Sequence, residues 1–180
     1  MRVISGTARG ILLKTPSGME TRPTADRVKE ALFSILQFEI PGKNVLDLFG
    51  GTGQLGIEAL SRGAKSAVFV DKSLSACELI RENLSRTHFR AEGTVVQSDY
   101  LSYLKNCKMT FDIVFLDPPY AEVFLENAIN LLAEIDILQS GGIIVAERPV
   151  GKELSAEISG FSRSKDYKYG KTLLTLFRKI

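Results

Sequence analysis

The chain has none of the long apolar segments that membrane and secreted proteins carry. Its 180 residues contain no unbroken apolar run near the ~18 residues that a membrane span needs. The opening residues, MRVISGTARG, lack the apolar core of about 7–15 residues that signal peptides have. We therefore expect a cytoplasmic protein with no membrane partner.

Cysteine and histidine are almost absent. The two cysteines, Cys77 and Cys107, lie far apart without the spacing of a metal site, which favours reduced, structural thiols. The single histidine, His88, lies near a predicted helix end and has no evident partner in the sequence. We expect His88 at the surface, and we expect no bound metal.

The net charge is small but unevenly distributed. The formal charge is +2 for the whole chain, yet residues 1–14 carry +3 and residues 161–180 carry +5, which leaves −6 for the residues between them. Basic ends on an acidic middle fit a polyanion-binding surface beside a site that uses carboxylates. The alternative, that the charged ends only keep the surface soluble, is equally open.

Strands and helices alternate from residue 44 onward. Five apolar segments read as buried strands, and amphipathic segments near 54–62, 73–86, 100–106 and 122–133 read as the helices between them. The strand segments are NVLDLF, SAVFVD, TVVQSD, FDIVFLD and GGIIVAE. This alternation predicts an α/β fold with a parallel sheet covered by helices on both faces. The last twenty residues predict a closing hairpin around Tyr169–Gly170.

Residues 1–43 have a different character and are predicted to form an extension ahead of a main domain over 44–180. The runs RVISG and GILLKT predict a small hairpin. A helix with one apolar stripe is predicted to begin at Thr24, its N-cap. Phe33 and Phe38 are expected to pack in the core or at the helix end.

The segment DLFGGTGQLG contains a G-x-G-x-x-G pattern in Gly51, Gly53 and Gly56, and Asp71 follows twenty residues after the first glycine. The pattern alone is typical of a dinucleotide site. Its place between a strand and a helix brings backbone N–H groups and a helix N-terminus to the ligand. A dinucleotide, or a nucleoside that carries an amino acid, satisfies this arrangement.

Three observations favour S-adenosylmethionine over a nicotinamide cofactor. Asp47 stands four residues before the glycines, where a carboxylate would repel a pyrophosphate but would suit a sulfonium or ammonium group. Asp71, Asp99 and Asp117 end the next strands, so acidic side chains line the edge where open α/β sheets bind ligands. Finally, 180 residues leave little room for a separate substrate domain.

The strand-end acids have different expected roles. We expect Asp71 to accept hydrogen bonds from both ribose hydroxyls. Asp99 has two equal interpretations, a contact with the adenine amino group or a cap for the helix that follows it. Asp47 is predicted to face the cationic part of the cofactor, and the alternative is that it only orients the glycine loop.

The tetrapeptide DPPY, residues 117–120, follows the fourth strand. Two prolines stiffen the turn, which presents the Asp117 carboxylate and the Pro118 carbonyl as acceptors beside Tyr120. Two acceptors that hold the hydrogens of an exocyclic amino group would favour its pyramidal, nucleophilic form, and Tyr120 would stack on the base. The alternative is an ordinary tight turn.

With these residues placed, the sequence resembles the RsmD family of small-subunit (16S) ribosomal RNA guanine-N2 methyltransferases. The segments that carry the resemblance span nearly the whole chain: RVISGTARG, TRPTADRVKEALFSIL, VLDLFGGTGQLGIEALSRGA, DPPY and YKYGKTLLTLF. Gly50 stands where relatives often have alanine.

The resemblance implies a monomeric class I methyltransferase with a Rossmann-like, mostly parallel seven-stranded sheet and an antiparallel C-terminal strand. It implies transfer to N2 of one guanine of 16S rRNA, within a 30S subunit or an assembly intermediate. It assigns S-adenosylmethionine to Gly51, Gly53 and Asp71, with Asp99 at the adenine, and it assigns the base to the DPPY turn through Asp117, Pro118 and Tyr120.

RNA contacts are expected from basic residues of the N-terminal extension, and each has a plain solvated side chain as its alternative. Arg22 is the first choice because the adjoining proline restricts its backbone. The others are Arg2, Arg9 and Arg27, with less weight on Lys165, Lys168 and Lys171.

Three other functions stay open at this point. DPPY also serves adenine-N6 chemistry, so an adenine-N6 methyltransferase on RNA or DNA is the main alternative. A nucleic-acid-binding or assembly module that keeps the fold without catalysis is the second. A nicotinamide oxidoreductase is the third.

Overall fold

The computed structural model describes residues 1–16, 23–118, 121–151, 153–154 and 158–180. Five helices and eight strands follow one another along these residues. The helices are α1 (Pro23–Ile35), α2 (Gln54–Ser61), α3 (Leu74–Arg86), α4 (Tyr100–Asn106) and α5 (Ala121–Glu134). The strands are β1 (Asn44–Asp47), β2 (Ser66–Asp71), β3 (Gly93–Gln97), β4 (Phe111–Leu116), β5 (Leu138–Pro149), β6 (Phe161–Arg163), β7 (Tyr167–Tyr169) and β8 (Thr172–Lys179).

All eight strands belong to one sheet with the order β3-β2-β1-β4-β5-β8-β6, and β7 also pairs with β8. The first five strands are mutually parallel, and β8 runs antiparallel to β5. β6 and β7 pair with successive parts of β8 on the side away from β5, so eight strands occupy seven positions. The predicted mostly parallel sheet with an antiparallel C-terminal strand is confirmed, with a third short strand that the expected closing hairpin did not include.

Side chains alternate between the two faces of the sheet, and each face has its own apolar core. One core contains residues of the N-terminal segment and of α1, α2 and α3, packed against every second residue of the strands. The other core contains residues of α4 and α5, packed against the strand residues between them. Covering both faces explains why the central strands read as continuous apolar runs in the sequence.

The N-terminal segment lies on the first of these faces and is fixed there by the buried carboxylate of Glu58 on α2. That carboxylate accepts the backbone N–H groups of Ile4 and Ser5 at 2.8 and 3.0 Å, and it pairs with Arg62 at 2.8 Å and Lys29 at 3.7 Å. A fully buried carboxylate is costly unless it is paired and hydrogen-bonded, and here both conditions are met. The extension is therefore held to the domain by polar contacts as well as apolar ones.

The predicted N-terminal hairpin is present only as a short antiparallel contact. A single bridge joins Arg2 to Leu12, and Val3 and Gly10 complete the hydrogen bonding around it. The predicted N-cap of α1 is wrong, because the helix begins at Pro23 and Thr24 lies inside it. Proline suits the first helical position, where the missing N–H would have no partner.

Phe33 and Phe38 have opposite environments. Phe33 is buried and packs its ring 5.7 Å from that of Phe115, as expected for a core residue. The packing predicted for Phe38 is wrong, because that side chain is 89% exposed in the turn after α1. His88 is exposed just after α3, as expected. No helix in the described part of the chain has the length and apolar character needed to cross a bilayer.

Candidate active site

Four acidic side chains meet on one face of the sheet at the carboxyl ends of adjacent strands. Asp71, Asp47, Asp117 and Glu147 lie at the ends of β2, β1, β4 and β5, which are neighbours in that order. Counting alternate residues from the first core places all four on the face that α1 and α2 cover. The edge predicted from the sequence is therefore formed, with Glu147 as a member that the sequence analysis did not single out.

The strand register places Asp47 deeper than its neighbours. Asp47 is level with Phe69 on β2 and with Phe115 on β4, whereas Asp71 and Asp117 each lie two residues farther along their strands. Two residues correspond to roughly 6.6 Å of strand rise. Asp47 therefore forms the floor of a crevice with carboxylates on both sides, and it is only 2% exposed.

Burial raises the pKa of the Asp47 carboxyl to about 8. The N–H of Gly56, 3.1 Å from one carboxylate oxygen, opposes this shift in part, while the negative charges of Asp117 and Asp71 increase it. No described lysine or arginine pairs with Asp47. A cationic ligand would stabilise the ionised form, which is the property expected of a sulfonium or ammonium site.

The glycine loop between β1 and α2 needs glycine for two different reasons. Gly53 has φ +78° and stands at the N-cap of α2, a backbone conformation that favours glycine. Gly56 lies against β2, where an added Cβ would come within 2.2 Å of the Phe69 ring. The third glycine of the pattern therefore sets how closely α2 packs on the sheet, independently of which nucleotide binds.

Asp71 holds this loop through both of its carboxylate oxygens. One oxygen accepts the N–H of Gly51 at 3.0 Å, and the other accepts the N–H of Ser73 at 2.9 Å. A carboxylate oxygen can accept two hydrogen bonds, so lone pairs remain for the predicted ribose hydroxyls. Asp71 thus has a structural part in the loop in addition to the ligand role predicted for it.

Asn83 on α3 supports the loop from behind and was not foreseen from the sequence. Its side chain is fully buried, and its amide donates to the carbonyl of Thr52 at 2.9 Å and to that of Lys14 at 3.0 Å. The amide oxygen accepts the N–H of Lys14 at 2.7 Å. One side chain therefore ties the glycine loop to the N-terminal segment.

Asp99 caps α4, one of the two roles considered for it. Its carboxylate accepts the N–H of Ser102 at 2.9 Å, and hydrogen bonds from Ser102 lower the pKa of the Asp99 carboxyl. The cap uses only one of the two carboxylate oxygens. A contact with an adenine amino group stays a prediction.

The carboxyl edge has two halves. Asp47, Asp71 and the glycine loop form the glycine-loop half, and Asp117 and Glu147 form the other half. Leu116 pairs with Ala146, so the next residue on each strand, Asp117 and Glu147, is at the same level. Burial raises the pKa of Asp117 to about 6, and burial followed by the charge of Asp117 raises that of Glu147 to about 8. No described residue donates a hydrogen bond to either side chain, so both keep their capacity for a ligand.

The remaining predicted site residues fall into two groups. Arg2, Arg9 and Arg27 are exposed on the N-terminal segment and α1. Arg22 and Tyr120 lie outside the described residues, and Pro118, the last described residue before Tyr120, is buried.

The residues at this edge fit S-adenosylmethionine. The glycine loop offers backbone N–H groups at a helix N-terminus, Asp71 keeps lone pairs for hydroxyl groups, and Asp47 provides a buried carboxylate for a cation. A pyrophosphate would place two further negative charges against Asp47 and Asp71, which is unfavourable.

The comparisons with known proteins agree with this fit. The model of a family described as Conserved hypothetical protein 95 matches residues 1–178. A candidate rRNA methyltransferase of Bacillus subtilis, YlbH, is 37% identical over 99% of both chains. The Ribosomal RNA small subunit methyltransferase D of Escherichia coli K12 is 34% identical over 99% of this chain and 90% of its own. The chain belongs to the RsmD family.

A solved structure supports the assignment. A candidate methyltransferase of Escherichia coli, yhhF, has a TM-score of 0.90 at 32% identity, over 99% of this chain and 97% of that one. Membership in the RsmD family confirms the predicted class I methyltransferase fold, the predicted enzyme class and S-adenosylmethionine as the methyl donor. The oxidoreductase alternative is thereby set aside.

Proposed function

We propose that this protein transfers a methyl group from S-adenosylmethionine to the exocyclic N2 of a guanine in small-subunit (16S) ribosomal RNA. The observation that carries the proposal is the environment of Asp117. This residue lies at the end of β4, beside the glycine-loop half of the carboxyl edge, and accepts no hydrogen bond from any described residue. The names of the relatives, which include rRNA small-subunit methyltransferases, support the choice of RNA.

In this proposal the glycine-loop half holds the cofactor. Gly51 and Gly53 allow its close approach to the backbone, Asp71 binds the ribose hydroxyls, and Asp99 contacts the adenine. Asp47 faces the cationic part. S-adenosylmethionine, when bound, supplies a methyl group activated by the sulfonium charge.

The residues after β4 prepare the guanine amino group that receives the methyl group. The lone pair of a guanine amino group is delocalised into the ring, so the amino group is a weak nucleophile. Asp117 and the Pro118 carbonyl would accept its two hydrogens, favour the pyramidal form and fix the direction of attack. When the nitrogen takes the methyl group it gives up one proton, and the Asp117 carboxylate is the acceptor. Its raised pKa makes it a better base than an exposed aspartate.

Residues 1–43 would form the RNA-contacting extension of the methyltransferase domain, residues 44–180. Arg2, Arg9, Arg22 and Arg27 would contact phosphates, which position RNA without reading its sequence. Tyr120 would stack on the target base once it leaves its helix. We further propose that the protein acts as a cytoplasmic monomer on a 30S subunit or an assembly intermediate.

Nucleoside mass spectrometry of 16S rRNA tests the function. A strain without this gene should lose N2-methylguanosine at one position, and wild-type protein supplied on a plasmid should restore it. Loss of N6-methyladenosine with unchanged N2-methylguanosine would replace the guanine proposal with the adenine alternative. If purified protein transfers labelled methyl neither to deproteinised rRNA nor to 30S particles from that strain, the non-catalytic assembly role replaces both.

A further inference from the structure

Glu147 lies beside Asp117 but on the side away from the glycine loop. The strand order β2-β1-β4-β5 puts Asp71 and Asp47 on one side of Asp117 and Glu147 on the other. Neighbouring strands are about 4.8 Å apart, and the register puts Asp117 and Glu147 at one level on one face. A base whose amino group is held by Asp117 therefore has the Glu147 carboxyl within reach of the atoms next to that amino group.

The surroundings of Glu147 leave it without a structural partner. No described residue donates a hydrogen bond to it, and none of the ion pairs among the described residues includes it. Its strand neighbour Arg148 points to the opposite face, where it pairs with Asp166 at 2.5 Å and with Thr175 at 3.3 Å. The Glu147 carboxyl is only partly buried and solvent still reaches it, so a ligand that displaces this water can donate a hydrogen bond to it.

We propose that Glu147 is a specificity residue, which accepts the N1–H of the target guanine while Asp117 accepts a hydrogen of N2. This inference rests on the proposed function and adds the group that reads the base. N1 and N2 are adjacent on the Watson–Crick edge of guanine, and both carry hydrogen. In adenine N1 is an acceptor, so the same carboxylate would face a lone pair.

The burial of the pair makes the selection depend on pH, because Glu147 must be ionised to accept the N1–H without offering a donor of its own. Burial and the proximity of Asp117 raise the pKa of Glu147 to about 8, which shows that this site disfavours a second negative charge when no donor is present. A base that offers two adjacent N–H groups compensates both carboxyls. A site built to bind an N–H group discriminates strongly against an analogue that lacks it, because its own polar groups are then left unpaired.

The test uses the base as the probe. Once the methylated guanine is mapped, the same RNA segment is made with 2-aminopurine at that position, which keeps the 2-amino group but has an acceptor at N1. We compare kcat/KM for the two RNAs at about pH 9, where Glu147 is ionised, with wild-type protein, Glu147→Gln and Glu147→Ala. The side-chain amide that Glu147→Gln introduces can donate to N1 of 2-aminopurine, whereas the wild-type carboxylate prefers the N1–H of guanine.

Wild-type protein should prefer guanine by about 100-fold or more, and Glu147→Gln should reduce that ratio at least about tenfold. Glu147→Ala should reduce it as well, and Glu134→Gln, an exposed glutamate at the end of α5, should leave it unchanged. Thermal unfolding and S-adenosylmethionine binding of each variant establish that it is folded. The Ala variant provides the comparison if the Gln variant does not fold.

The same ratio in the wild type and in both Glu147 variants would overturn this inference alone, because wild-type methylation of guanine N2 would still stand. If the wild-type protein methylates no guanine N2, the proposed function fails first, and the role of Glu147 fails with it.

Discussion

The two halves of the carboxyl edge treat their acidic side chains differently. On the glycine-loop half, Asp47 and Asp71 accept three backbone N–H groups between them. On the other half, Asp117 and Glu147 accept none from any described residue. Burial acts on both halves, since the pKa values of Asp47, Asp117 and Glu147 are all raised. The halves differ in their hydrogen-bond donors: the chain's own backbone supplies them on the glycine-loop half, and no described residue supplies them on the other half.

This difference indicates how the protein prepares two ligands. The chain itself satisfies the acceptors that shape the glycine loop, so that loop is organised before a cofactor arrives. The acceptors on Asp117 and Glu147 keep their lone pairs for a ligand, because no described residue donates to them and both side chains are only partly buried. A base with several N–H groups is such a ligand. The halves should therefore respond differently to mutation, one through cofactor affinity and the other through turnover.

The largest effect is expected on the base side. Asp117→Ala should lower kcat for methyl transfer about 10²–10³-fold, because the variant loses the acceptor that orients the amino group. Calorimetry should find S-adenosylmethionine binding little changed. Glu134→Ala, an exposed glutamate at the end of α5, is the control and should keep kcat. Full activity of the Asp117 variant would remove the assignment.

The glycine-loop half should show the converse. Asp71→Ala removes the acceptor for two backbone N–H groups and for the proposed ribose contacts. Hydrogen bonds to a charged group contribute about 1.5–3 kcal/mol, so the Kd for S-adenosylmethionine should rise about 10- to 100-fold. At saturating cofactor, kcat should fall much less than in the Asp117 variant. Equal losses of kcat in both variants would contradict the division into halves.

Replacing Asn83, which supports the glycine loop, is expected to change cofactor affinity less than Asp71→Ala does and to lower the stability of the fold measurably. Asn83→Ala leaves the backbone groups of Lys14 and Thr52 without their partner, at a cost of about 2–4 kcal/mol. The melting temperature should fall by about 4–16 °C, with a few-fold rise in cofactor Kd. Asn106→Ala, on the exposed surface of α4, is the control. An unchanged melting temperature would show that the loop is held by other contacts.

Much of the fold could be predicted from the sequence, because hydrophobic periodicity is local. The central strands and helices agree with their predicted ranges to within a few residues at most ends. The errors arose where tertiary contacts decide. Phe38 is apolar yet exposed, since the chain turns before a partner surface is reached, and the start of α1 was placed at a cap residue although Pro23 opens the helix. The division of the edge strand into β6 and β7 had no sequence signal.

The site residues likewise divide into those that the sequence could predict and one that it could not. Asp47, Asp71 and Asp117 were found because the carboxyl ends of parallel strands converge, which strand order alone implies. Glu147 obeys the same rule at the end of β5, and applying the rule to glutamate as well as aspartate would have found it. Asn83 could not be found, because it contacts Thr52 and Lys14, 31 and 69 residues away in the chain.

The last prediction concerns protons and tests Asp47 of the glycine-loop half through the pH dependence of stability. The pKa of Asp47 is near 3.9 in an unfolded chain and about 8 in the folded protein. Between these values the folded state holds a proton that the unfolded state has lost. The free energy of unfolding therefore falls as the pH rises from about 4 to about 8, and this contribution levels off above that.

Asp47→Asn cannot ionise but keeps an oxygen for the Gly56 N–H, so its stability relative to wild type should increase from about pH 5 to about pH 8. Chemical denaturation of wild type and Asp47→Asn at several pH values measures this difference. If Asp47 faces the cationic part of the cofactor, saturating S-adenosylmethionine should favour its ionised form and flatten the wild-type dependence. A dependence that the cofactor leaves unchanged would restrict Asp47 to holding the first turn of α2.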